Sequence, residues 1–157
     1  MANKCVWLAG VMALGMTCGA AVGQTLAAPA KALDTVEVFE KVCLNTALSS
    51  DKAAAAAKTL GIDLATHVEE SVTITLGADV TFGLWVVMVP GQICSVATPS
   101  HNAAGLTDRF LTTIGQLAGS APAGPTPFKA TIDGRVYVFH WQHDKGMDLL
   151  LMGQPSD

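Results

Sequence analysis

The stretch FHWQHD, Phe139 to Asp144, holds the densest set of side chains able to do chemistry: His140, His143 and Asp144. Two imidazoles and a carboxylate suit zinc or copper outside the cytoplasm, and a small periplasmic metal-binding protein or hydrolase would use them so. Along a strand, residues three apart point to opposite faces, so His140 and His143 converge only if the strand breaks before His143. His101 could join them from a loop, although its spacing does not place it there. Other chemistry is sparse. Ser95 and Ser100 lack a G-x-S-x-G elbow. Glu69 and Glu70 are adjacent and diverge, and GADVTFG lacks the lysine and following helix of a phosphate loop. No catalytic residue is assigned and no cofactor is implied. Trp85, Tyr137, Phe139 and Trp141 are core residues if they sit in central strands; facing outward, they would form a ligand or partner surface.

The thiols depend on where the chain resides. MANK carries one lysine, Cys5 to Val22 is uncharged, and small residues follow in GAAVGQTLAAPA. That order is a secretory signal peptide, with Ala21 and Gly23 suited to cleavage after Gly23. An uncleaved anchor is the alternative, since the uncharged run is just long enough to span a bilayer; its glycines and alanines make it only moderately apolar. The chain thus divides into a signal peptide (1–23), a flexible N-terminal segment (24–33) and a single domain (34–157). Cys18 lacks the flanking residues of a lipoprotein cysteine.

Cleavage leaves eight Lys and Arg against thirteen Asp and Glu, a net charge near −5. This balance, with Arg109 and Arg135 the only arginines, argues against nucleic acid. No second long apolar run exists, so no stable membrane insertion is expected after cleavage. Cys5 and Cys18 leave with the signal peptide, so Cys43 and Cys94 remain and are read as one disulfide in an oxidising compartment. Cys43 sits among Phe39, Val42 and Leu44, unlike the electropositive setting of a reactive thiol.

The elements follow from periodicity. DTVE, Asp34 to Glu37, is a capping box, and Val36, Phe39, Val42/Cys43 and Ala47 share one helical face. SSD caps a second, alanine-rich helix that stops at Gly61. From Ser71 the period becomes two: SVTITL alternates Val72, Ile74 and Leu76 with threonines and predicts a strand with one wet face. VTFGLWVVMV predicts a central strand, PGQ a turn and ICSVA the next strand. LTDRFLTTIGQL is helical, and GSAPAGPTP is an exposed connection. FKATI and RVYVFHWQ flank Asp133-Gly134, a strong hairpin signal, and HDKG turns into MDLLLM. The order helix, helix, three strands, helix, three strands predicts the α+β class: an antiparallel sheet of about five to six strands with helices packed on one face.

FEKVCLNT, the helix ending KTLG, and GQICSVATP together resemble an uncharacterised group of small exported proteobacterial proteins, mostly alphaproteobacterial, over about Val36 to Pro99. The resemblance implies export, a Cys43–Cys94 pair and a compact α+β domain, and it carries over no catalytic residue. The expectation is a periplasmic or secreted, non-enzymatic accessory or binding protein of the cell envelope. Its partner would be an envelope protein or an apolar small molecule.

Overall fold

The computed structural model describes residues 33–69, 72–100, 103–122 and 126–155. The expected signal peptide over 1–23, residues 24–32, Glu70 and His101 lie outside the described residues.

Asp34 opens helix α1, Thr35–Val42, by accepting hydrogen bonds from the Val36 and Glu37 amides at 2.9 and 3.3 Å. This satisfies two of the amides that a helix start leaves without partners. Glu37 pairs with Lys41 at 2.7 Å rather than reaching back to the cap. The helix is shorter than its apolar spacing predicts: it ends at Val42, and Leu44–Thr46 tightens into a 3-10 turn. There the Thr46 hydroxyl donates to the Val42 carbonyl at 2.6 Å, taking up one of the carbonyls left at the helix end. Helix α2, Ser50–Thr59, buries Ala53 and Ala57, small enough for close packing on its neighbour.

Seven strands form one antiparallel sheet: β1 Ala65–Glu69, β2 Val72–Asp79, β3 Leu84–Val89, β4 Ile93–Pro99, β5 Phe128–Ile132, β6 Arg135–Asp144 and β7 Met147–Gly153. Their spatial order is β1-β2-β3-β4-β7-β6-β5. Helix α3, Leu106–Ala118, carries the chain from the middle strand β4 to the far edge. Two hairpins then bring it back until β7 pairs with β4. The β5–β6 turn is Asp133-Gly134, with φ of 50° and 76°. Positive φ at both central positions matches the right-handed twist of the flanking strands, and Asp-Gly tolerates it.

The α+β class, the antiparallel sheet and the Cys43–Cys94 disulfide are as expected. The strand count differs. Four strands precede α3 instead of three, and the sheet has seven. The strand without a sequence signal is β1. It is an edge strand whose Thr66, His67 and Val68 are all exposed, so neither face needed the apolar alternation that marks a half-buried strand.

Both ends of the helical layer pack on one side of the sheet. Phe110 of α3 meets Phe39 of α1 at 5.3 Å between ring centroids, and meets Phe128 and Phe139 of the sheet at 6.5 Å each. Cys43, just past α1, bonds to Cys94 on β4 with a Cα–Cα distance of 5.6 Å. Arg109 of α3 pairs with the Asp34 carboxylate, tying one helix to the other's cap. Leu84, Val86, Met88, Val96, Leu150 and Met152 complete the buried layer beneath.

At β2 the helix side is narrow. A methyl placed on Gly77 would lie 2.3 Å from the Asp63 carbonyl oxygen and 2.7 Å from a Leu64 methyl. Backbone cannot yield as a flexible side chain can, so Gly77→Ala is expected to cost about 1–3 kcal/mol. The shift of the denaturant midpoint measures it. No change would mean that the segment before β1 moves freely.

Candidate binding face

Strand register decides where each candidate side chain goes, because directly paired residues share a face. Cys94 faces the helices, and so do its partners Met88 on β3 and Met152 on β7. Met88 in turn pairs with Thr75, and Met152 with Phe139. Tyr137 and Phe139 are therefore buried core. Trp141 is half-buried at the margin of the same layer, and its indole N–H donates to an Asp148 carboxylate oxygen at 3.2 Å.

Trp85 belongs to the other side. Its neighbours across the strands are Ala78 on β2 and Ala97 on β4, and Ala97 pairs with Leu149. Two residues along each strand, a second row crosses six strands: Ala65, Leu76, Val87, Ser95, Leu151 and His140. None of the described helices packs on this side. Val72 is 46% exposed, Leu76 39%, Trp85 49% and Val87 40%. An antiparallel sheet with one covered face ordinarily turns polar residues to water on the other. Here Val72, Ile74 and Leu76 point to the open side, while Thr75 is buried against the helices. The wet face of this strand is its apolar one.

The histidines are not brought together. Strand β6 continues without a break through His143 to Asp144. His140 pairs with Leu151 on the open face, and His143 pairs with Asp148 on the helix side. Asp144, one residue on, returns to the open side. Among the described residues no group of three or more His, Cys, Asp or Glu side chains is arranged to hold a metal ion.

The structure adds a residue that the sequence reading passed over. Asp148 is only 4% exposed and sits inside the apolar run MDLLLM. A buried carboxylate needs partners, and Asp148 has the Trp141 indole and His143 Nδ1, the latter at 3.3 Å. Ser100 Oγ meets the same His143 nitrogen at 3.2 Å. A serine–histidine–aspartate relay needs serine and aspartate on opposite ring nitrogens, so that a proton taken at one is balanced at the other. With both on Nδ1, the set cannot relay a proton. It fastens the β6–β7 hairpin to the exit of β4, where the Ser100 amide also donates to the Gly146 carbonyl at 2.9 Å. The signal that could have found it was an aspartate at a position of buried parity in an apolar strand.

A groove of about 580 Å³ runs beside α3, lined by Leu111, Gly115, Gln116 and the Gly119–Pro122 turn. It presents no ionisable side chain. No described helix is long and apolar enough to cross a membrane. No family model, curated protein or solved structure matches the chain.

Proposed function

We propose that the protein is an exported, non-enzymatic binding protein of the cell envelope, periplasmic or secreted, and that it binds through the open sheet face around Trp85. One observation carries the reading: a contiguous apolar face across β2, β3, β4 and β7, with its largest side chain half exposed. Soluble proteins rarely leave such a surface to water unless it meets a partner. The disulfide and the leader-like start of the chain support export, because such a bond persists in oxidising compartments.

Native mass spectrometry of the mature protein, taken from its own host's envelope, tests the reading. The expected spectrum shows a bound mass, a protein chain or an apolar molecule, that the Trp85→Ser/Val87→Ser variant loses. A bare monomer from both proteins would sink the proposal.

A further inference from the structure

Within the reading of the open face as a binding surface, we infer that its partner is a second copy of this chain, packed sheet against sheet. The relief of the face is the first reason. Trp85 and Val87 form a ridge along β3, and Leu149 and Leu151 form another along β7. Between them, β4 sets Ala97 and Ser95, a trough about 9.5 Å wide at ordinary strand spacing that Ile93 and Pro99 close at its two ends. Its floor asks for no polar partner, since the Ser95 hydroxyl donates to the Val87 carbonyl at 3.3 Å.

A ridge and a matching trough on adjacent strands are self-complementary. A twofold axis lying in the interface between β3 and β4 sets the Trp85 indole of each copy onto Ala97 and Ser95 of the other. This is the reciprocal contact that an isologous interface requires. Two copies also share one sheet twist, which lets flat faces stack aligned at about −30°. A small ligand is served less well, because ligand sites are concave and enclose most of the molecule.

Size and charge agree. The axis overlaps six strands of each copy and leaves β5 outside. Six strands by six residues cover about 29 Å by 20 Å, so the two partners cover roughly 1,160 Å² counted flat. That clears the ~1,000 Å² expected of a specific interface. On β2, β3, β4 and β7 the open side carries no charged residue. The chain's net charge of −4 therefore does not place like charges in contact at the centre.

Sedimentation equilibrium of the mature, oxidised protein from about 1 to 100 µM tests this, because self-association follows mass action. The expected wild-type result is twice the single-chain mass. Ala97→Arg fills the trough and Trp85→Ser removes the ridge, and each is expected to weaken association about 100-fold. Thr131→Arg, on the open side of β5 beyond the overlap, leaves the dimer intact. Thermal unfolding of each variant confirms that it remains folded.

A wild-type chain that stays monomeric throughout overturns the inference. If that monomer carries a Trp85-dependent bound mass, the face still binds but has another occupant. If it is bare, the binding-face reading falls as well. A dimer indifferent to both Ala97→Arg and Trp85→Ser also overturns the inference, since the copies would then meet elsewhere.

Discussion

Replacing Cys43 and Cys94 together by alanine is expected to lower the unfolding free energy by about 4 kcal/mol. The bond closes a loop with a sequence separation of 51. In the chain-entropy model that loop restricts the unfolded ensemble by about this amount. In the folded state the bond ties the end of α1 to the middle strand, and both cysteines are fully buried. Alanine at both positions leaves no unpaired buried polar group, so the measured loss reflects the cross-link and the lost sulfur packing. Urea unfolding of oxidised wild type, reduced wild type and the double variant should show the last two close together and well below the first. The slope against denaturant should rise when the link is gone, because the unfolded chain expands. Equal midpoints for oxidised and reduced protein would show that the loop is already closed by other contacts.

Phe110→Ala is expected to cost about 3–5 kcal/mol, the usual range for emptying a buried aromatic site. Phe110 is fully buried and is the ring at which α1, β5 and β6 meet, with Phe39, Phe128 and Phe139 all edge-on to it. Edge-to-face pairs contribute about 0.5–1.5 kcal/mol beyond area burial, so the loss exceeds that of an isolated side chain. Phe110→Leu keeps most of the volume and loses the ring geometry, for about 1–2 kcal/mol. The cysteine and Phe110 changes should not add simply, because both release α1 from the sheet. Without the disulfide, α1 is held by Phe39 against Phe110, by Asp34 with Arg109 and by its contacts with α2. Removing both anchors takes away most of the 5–15 kcal/mol typical of a domain, and far-ultraviolet circular dichroism at 37 °C is expected to show loss of helix. A triple variant as stable as the sum of its parts would mean that α1 docks independently of both.

Local signals were legible in the sequence because each depends on a few adjacent residues. Asp34 caps its helix through the amides two and three residues on. Asp133-Gly134 turns because those two residues accept positive φ. Cys43 and Cys94 pair as expected once Cys5 and Cys18 are read as part of a leader. By the strand period His140 and His143 diverge because β6 runs on through Asp144, whereas HDKG read locally puts His143 in the turn.

Only the tertiary structure decided which face of the sheet is covered. In isolation, Val72, Ile74 and Leu76 are the apolar row of β2 and would be assigned to the core. The disulfide puts Cys94 on the helix side, and pairing carries that parity through Met88 to Thr75. A one-residue slip in any of these pairings would reverse the outcome, since strand side chains alternate with a period of two. The same parity buries Asp148 and leaves Trp85 in water. Strand β1 and the return of β7 beside β4 were hidden for a related reason: they depend on pairings between residues far apart in the chain, and local periodicity does not encode those.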